Sequence, residues 1–180
     1  MATLDVRNRL QPALLDRLTD DAPGERSEAD DHRVMSKAQL RQAVLRDLSA
    51  LFNAVQPLGA VAEGHPLLAA SVLNYGLPAL SGQLASKLDV HVLERAIRQA
   101  IERYEPRILP DTLEVRALEA GSVLDTHNVI EFEIRGHLWS QPVPLEILLR
   151  TQLDLEAGQV EVRDAGGASP AARRPSARDA

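Results

Sequence analysis

A carboxylate and a guanidinium flank a proline in residues 104–108, where Glu105, Pro106 and Arg107 follow one another. Glycoside hydrolysis needs one carboxyl group that protonates the leaving oxygen and a second carboxylate facing the same cleft. Glu105 has apolar neighbours in the sequence, which could raise its pKa. Three other acidic residues could supply the second carboxylate: Asp111, Glu131 and Glu133. The first hypothesis for this segment is therefore a muramidase-like peptidoglycan hydrolase with Glu105 as general acid.

Two observations favour a structural interpretation of the same residues. Arg107 lies two positions from Glu105 and would stabilise the charged form of that carboxyl group, which is the wrong direction for an acid. Carbohydrate sites commonly use aromatic platforms, and aromatic residues make up only 3% of this chain. A Glu–Arg pair can also fix a joint or bind an opposite pair on a neighbouring protein. We therefore interpret Glu105, Pro106 and Arg107 as a docking corner and expect no catalytic residue.

Other kinds of chemistry find little support in the residue types. The chain has no cysteine, which excludes disulfides, cysteine-ligated zinc and a thiol nucleophile. No glycine-rich phosphate loop and no nucleophile-elbow pattern occurs. Asp125, His127 and His137 are the nearest candidates for metal ligands, but three scattered ligands are weak evidence. We expect neither a metal nor a cofactor.

The overall composition limits the class of partner. The 180 residues suit one domain with additional tails, and 44% of them are hydrophobic, which is enough for a core. The formal net charge of −6, with no basic cluster, argues against nucleic acid. No apolar run reaches the roughly 20 residues that a membrane-spanning helix needs. The N-terminus has no signal-peptide pattern, and together with the lack of cysteine this predicts a cytoplasmic protein.

Two amphipathic helices and several strands are predicted to position the corner. The apolar spacing predicts helices over residues 36–55 and 89–104, capped by Ser36 and Asp89, with Pro106 ending the second. Alternating apolar residues then predict four strands, over residues 112–118, 128–138, 143–155 and 159–163. Pro142 and Pro144 open the third strand, which suggests an edge or strand-start position where a partner strand could be added. The predicted fold is α+β, with helices packed on a small, mostly antiparallel sheet.

Flexible segments are predicted at both ends of this single domain. Residues 1–33 form an N-terminal arm with a short amphipathic helix and an acidic linker. Leu10, Leu14 and Leu18 share one face of that helix, which would suit docking onto a partner protein. The folded domain covers residues 34–163. Residues 164–180 have no apolar period and are predicted to be a disordered tail.

Several motifs resemble one known family when they are taken in order. These are RLQPALLDRLTDD at 9–21, SVLNYGLP at 71–78 with LSG at 80–82, LE, AI and AI between 93 and 101, and YEPRI at 104–108. They resemble TssE, the baseplate family of type VI secretion systems. TssE is similar to the small wedge protein of contractile phage tails and to the wider lysozyme-like baseplate family. The likeness runs from about residue 7 to residue 163, and one departure is Ala79, where the family often has Asp.

The resemblance implies a cytoplasmic structural subunit with a lysozyme-like baseplate domain at residues 34–163. Its implied partners are the wedge proteins TssF, TssG and TssK and the sheath proteins TssB and TssC, whose polymerisation it would help to initiate. The family's strand-rich edge is related to the interlocking domain of the sheath subunit. The family's Glu-Pro-Arg corner, implicated in wedge assembly, matches Glu105, Pro106 and Arg107. No enzymatic activity is carried over from the family's name.

Overall fold

The computed structural model describes residues 13–18, 24, 35–62, 64–79, 89–118 and 129–166. The helices are α1 (Leu14–Leu18), α2 (Lys37–Phe52), α3 (Pro66–Ala69) and α4 (Val90–Tyr104). The strands are β1 (Glu114–Ala117), β2 (Val129–Leu138), β3 (Leu145–Asp154) and β4 (Gln159–Asp164). The strands form one antiparallel sheet in the order β1-β2-β3-β4. The predicted α+β fold is confirmed.

Helix α2 begins with the capping box that its sequence predicts. The Gln39 backbone N–H donates to the Ser36 hydroxyl at 3.2 Å, and the Ser36 N–H donates to Oε1 of Gln39 at 2.8 Å. The helix ends at Phe52, three residues before the predicted end. Val55, the last residue of the predicted helix, is 60% exposed and forms an isolated parallel bridge with Leu77 instead.

A glycine allows the connection after α2 to return against that helix. Gly76 has a φ of +121°, and a Cβ added there would lie 2.3 Å from the carbonyl oxygen of Ala54. The Leu77 N–H donates to that same oxygen at 2.9 Å. Any side chain at position 76 would therefore collide with backbone that the connection requires.

Helix α4 has the boundaries that its caps predict. The Asp89 carboxylate accepts a hydrogen bond from the His91 N–H at 2.9 Å. At the other end Glu105 leaves the helical region, with φ −122° and ψ 75°, because the following Pro106 disfavours it. The buried stripe of α4 consists of Leu93, Ile97, Ala100 and Ile101.

The core lies between the two long helices and one face of the sheet. Phe132, Ile134 and Leu138 of β2 are completely buried on that face, as their alternation predicts. Leu48 and Ile101 meet them from α2 and α4 and are also fully buried. The alternate residues of β2 point to the opposite, polar face of the sheet. The helices and the sheet therefore share one aliphatic core.

Of the two positions predicted for the third strand's prolines, the structure supports the strand start and excludes the edge. β3 pairs with β2 over ten residues and with β4 over six, so it is an interior strand. Pro142 and Pro144 both precede Leu145, the first residue of the strand, and therefore remove no donor from either ladder. Val143, the first residue of the predicted strand, lies in this approach segment and is exposed. The two edges of the sheet are β1 and β4.

Only part of the predicted arm and tail lies within the described residues. Leu10 lies outside them, whereas Leu14 and Leu18 are the first and last residues of α1. β4 continues through Asp164, which forms an ion pair with Arg41 at 3.0 Å. The predicted start of the tail at residue 164 is therefore too early, because the sheet includes that residue. Residues 167–180 lie outside the described part of the chain.

Candidate functional site

The Glu-Pro-Arg corner is a tight turn between α4 and the sheet. The Ile108 N–H donates to the carbonyl oxygen of Glu105 at 3.1 Å, which places Pro106 at the second position of the turn. Proline suits that position because its ring presets φ. Pro106 is exposed at the tip, while Ile108 is buried beneath it.

The Glu105 carboxylate is buried and held by its own neighbour. Only 3% of Glu105 is exposed. Arg107 donates from Nε to one carboxylate oxygen at 2.6 Å and from Nη2 to the other at 2.5 Å. Its backbone N–H adds a third bond at 3.2 Å. This two-pronged pairing satisfies the carboxylate within the turn and keeps the guanidinium facing inward.

Three further side chains extend this pair into one ion-pair chain. Nη2 of Arg107 also donates to Asp47 of α2 at 2.6 Å. Asp47 accepts from Arg46 at 2.8 Å, and Arg46 reaches Asp16 of α1 at 2.5 Å. Charges alternate along the chain, which runs Glu105, Arg107, Asp47, Arg46, Asp16. The ion-pair chain therefore connects the end of α4 to the N-terminal arm across α2.

The pairings also shift the pKa values of Arg107 and Asp16. Hydrogen bonding to the Glu105 carboxylate raises the pKa of Arg107 well above its usual range, although burial opposes this. The hydrogen bond from Arg46 lowers the pKa of Asp16, again against the effect of burial. Both shifts favour the charged forms.

Helix α1 lies with its polar side toward the protein. The Asp16 side chain is 15% exposed, while Leu14 and Leu18 are 73% and 75% exposed. An amphipathic helix on a folded domain normally buries its apolar side. The arm therefore presents leucines outward, next to the corner to which the ion-pair chain connects it.

Backbone bonds fix the corner to the sheet. The Trp139 N–H donates to the carbonyl of Arg107 at 2.7 Å, and the Leu109 N–H donates to the carbonyl of His137 at 2.9 Å. Between them Ile108 forms a bridge with Leu138. The exit from the corner is therefore paired antiparallel with the C-terminal end of β2.

The SVLNYGLP motif packs against the same corner. The Tyr104 hydroxyl lies 2.9 Å from the carbonyl oxygens of both Ser71 and Asn74. The ring of Tyr75 meets that of Tyr104 edge to face, with 5.2 Å between the centroids. Two of the motifs that carry the family resemblance therefore meet in space.

This geometry does not suit Glu105 as a general acid. Both of its oxygens accept hydrogen bonds from Arg107, and burial separates them from any substrate. Glu131 and Glu133 alternate with core residues of β2 and so point to the face of the sheet away from α4. They bond there to Gln152 and Arg135. Asp111 is exposed in the turn Pro110–Thr112.

Of the three candidate metal ligands, only His137 lies in the described part of the chain. Asp125 and His127 lie outside the described residues, and His137 is on β2. Within the described ranges, no group of three or more His, Asp or Glu side chains could hold a metal ion. No helix in those ranges is long and apolar enough to cross a membrane.

Sequence reasoning missed Asp16, Arg46 and Asp47. The partners Asp16 and Arg46 are 30 residues apart in sequence, and Asp47 and Arg107 are 60 apart. Local spacing carries no information about such pairs. The one weak signal was Asp16 itself, because a charged residue in a leucine-rich helix can pair with an opposite charge elsewhere in the fold.

Comparison with known proteins identifies the family. A family model described as baseplate wedge protein gp25 matches residues 38–143, which include α2 except its first residue, α4, the corner and β2. The curated proteins and the solved structures gave no match. TssE belongs to this same family, so the resemblance found in the motifs is confirmed. The match covers more than half of the chain, and the family is one of structural baseplate proteins. The chain belongs to the baseplate wedge protein gp25 family.

Proposed function

We propose that this chain is the TssE-type wedge subunit of a type VI secretion baseplate. It acts in the cytoplasm, assembles with TssF, TssG and TssK, and helps to initiate polymerisation of the TssB–TssC sheath. The observation that carries the proposal is the family match over residues 38–143. The TssE-like motifs, which include the corner and the SVLNYGLP segment, support the type VI assignment over a phage tail.

The corner and the arm together form the proposed wedge-binding surface. The charges of Glu105 and Arg107 are satisfied internally, so they hold the shape of the corner instead of meeting a partner directly. Pro106 at the exposed tip is the residue available for contact. Leu14 and Leu18 supply exposed apolar area on α1, which the ion-pair chain joins to the corner, and such area commonly marks a protein interface. Leu10 continues the same face in the sequence.

The edge of the sheet is the proposed contact with the sheath. An edge strand leaves alternate backbone groups unpaired, and an added strand can satisfy them. Because β3 is an interior strand, the strand of the sheath would pair with β1 or β4. β1 has only four residues, whereas β4 has six.

Co-purification with TssF, TssG and TssK tests the wedge role. Pro106→Lys adds a charged side chain at the tip while leaving the ion-pair chain in place. Pro110→Lys makes the same change at a second exposed proline four residues away and is the matched control. We expect the wild type and Pro110→Lys to co-elute with the wedge proteins, and Pro106→Lys to lose at least tenfold in yield of the complex.

Arg107 itself is a poor position for this test. Arg107→Glu would set a third carboxylate against Glu105 and Asp47 and would disturb the fold as well as any interface.

The arm is tested with Leu14→Ser and Leu18→Ser combined, since both side chains are already exposed. Absence of co-elution by the wild type contradicts the proposed function. Full co-elution of Pro106→Lys removes the corner tip from the interface.

A further inference from the structure

A side chain from α2 imitates a neighbouring strand at the free edge of β4. Nδ2 of Asn53 donates to the carbonyl oxygen of Val160 at 2.8 Å, and the Val160 N–H donates to Oδ1 of Asn53 at 3.0 Å. These are the two bonds that a residue of an added strand would make. The outward backbone groups of Val160 are therefore already occupied.

The orientation of Asn53 is set by the end of its helix. Nδ2 also donates to the carbonyl oxygen of Ser49 at 2.8 Å, and the Asn53 backbone N–H donates to the same carbonyl at 3.2 Å as the C-cap of α2. A side chain held at two points loses little further freedom when it binds the strand. Asn53 is thus a fixed part of the edge.

The next outward positions on β4 remain available. In an antiparallel ladder the residues that face outward alternate. Val160 faces outward, so Val162 and Asp164 do as well, while Ala165 donates inward to the carbonyl of Leu148 at 2.8 Å. Within the described part of the chain, no hydrogen bond occupies the outward N–H and C=O groups of Val162 or Asp164.

At the opposite edge, a side chain occupies one outward backbone donor in a similar way. Oε1 of Glu94, on α4, accepts the outward N–H of Ala117 in β1 at 2.7 Å. β1 is also the shorter edge strand. Of the two edges, β4 therefore offers the longer stretch of backbone for pairing.

We propose that Asn53 determines the register of strand addition at β4. By occupying Val160, it confines a strand of the sheath subunit to Val162 and Asp164. Without Asn53, Val160 becomes a third pairing position. The added strand can then also pair in a register shifted by two residues toward the β3–β4 hairpin. This inference rests on the proposed sheath contact and names the residue that makes that contact specific.

Cysteine cross-linking measures the register directly, because the chain has no cysteine of its own. Glu161 and Arg163 are both exposed and would sit at non-hydrogen-bonded positions opposite the added strand, where side chains lie closest. Single cysteines at either position are combined with a panel of single cysteines along the sheath strand, using the TssB–TssC pair. In the wild-type background we expect at least tenfold more cross-linking from position 163 than from 161. In Asn53→Ala we expect the two positions to cross-link equally.

Amide hydrogen exchange supplies a second measurement that checks the folded state. In the free protein, Asn53→Ala exposes the Val160 amide to exchange, and sheath binding protects it again. Asn53→Asp is the conservative variant, since it still accepts from the Val160 N–H but cannot donate to its carbonyl. It should show an intermediate ratio of the two cross-links.

Each contrary outcome overturns a distinct statement. Equal cross-linking from positions 161 and 163 in the wild-type background overturns the role of Asn53 but leaves strand addition intact. No cross-link from either position, in protein that still co-purifies with the wedge proteins, overturns the β4 contact and leaves the wedge role standing. Cross-links between two copies of this chain without sheath would identify a second copy as the occupant and overturn the proposal.

Discussion

Arg107 is the residue on which the corner depends most, because it neutralises a carboxylate that the fold has buried. Glu105 would otherwise lie at the end of α4 as an uncompensated buried charge. A buried ion pair contributes little relative to an apolar pair, but removal of one partner alone is strongly destabilising. The same residue also holds Asp47 of α2.

We expect Arg107→Ala to lower the free energy of unfolding by about 3 kcal/mol, as for other buried pairs broken on one side. Urea denaturation followed by circular dichroism measures this loss. Arg98→Ala is the matched control, because Arg98 pairs with Glu102 on the exposed side of α4 and should cost less than about 1 kcal/mol. Glu105→Gln in the Arg107→Ala background should restore part of the loss. Equal losses in the two single variants would contradict the proposed importance of burial.

A second prediction at the scale of a residue concerns Gly76. Gly76→Ala forces a Cβ to within 2.3 Å of the Ala54 carbonyl oxygen at a φ of +121°. We expect a loss of about 3 kcal/mol or more, since backbone strain and a backbone clash combine. Gly64→Ala is the control: its φ of +82° is also unfavourable, but nothing lies within 4 Å of the added Cβ. Urea midpoints that fall equally in the two variants would show that the clash is relieved by movement of the connection.

At the scale of elements, α1 is attached through charge and not through its leucines. Because Arg46 lowers the pKa of Asp16 below 3.8, the attachment is favoured above that value and is lost as pH falls through the pKa of the folded state. The release of α1 should therefore accompany acidification. It should also be promoted by salt, which screens the partly exposed Asp16–Arg46 pair.

A fluorescent label at Leu18→Cys tests this attachment. We expect its anisotropy to be high at neutral pH, and to fall below pH 3.8 and in 1 M salt. In Asp16→Asn the anisotropy should be low at every pH, because the charged partner is missing. Circular dichroism on the same samples shows whether the domain is still folded. An identical pH midpoint in Asp16→Asn would assign the release to another group.

Local sequence signals predicted the helices and strands, whereas the contacts between residues far apart in sequence could not be predicted. The capping box at Ser36 and the proline at 106 fixed helix ends because each acts within one turn of chain. Period-two alternation gave β2 correctly, since one face of that strand is buried. The interior place of β3 could not be read from its prolines, because a proline just before a strand looks the same at an edge as in the middle. The ion-pair chain was also beyond sequence reasoning, since its members meet only through folding.

At the scale of the whole molecule, the long helices both cover the core and limit the sheet's edges. Asn53, the C-cap of α2, bonds to the backbone of Val160 in β4, while Glu94 of α4 accepts from the Ala117 N–H in β1. Side chains that occupy edge backbone groups guard against unwanted strand pairing. A protein that must accept a partner strand benefits from keeping only part of an edge open, because a partial opening favours one register.

The end of β4 gives the last prediction, which concerns how much of the C-terminus belongs to the domain. Asp164 pairs with Arg41 at 3.0 Å, and the Ala165 N–H donates to Leu148 at 2.8 Å. A chain that stops after Arg163 loses both contacts, together worth about 1–2 kcal/mol. For a domain of this size, that corresponds to a fall in Tm of roughly 2–8 °C.

A chain that stops after Gly166 keeps both contacts. We expect its Tm to equal that of the full-length protein, because the sequence beyond Gly166 has no apolar period. Differential scanning calorimetry of the three chains, with Asp164→Ala in the full-length protein to isolate the ion pair, makes the comparison. If the chain ending at Gly166 melts as low as the one ending at Arg163, residues 167–180 contribute to the fold and the boundary of the domain lies beyond β4.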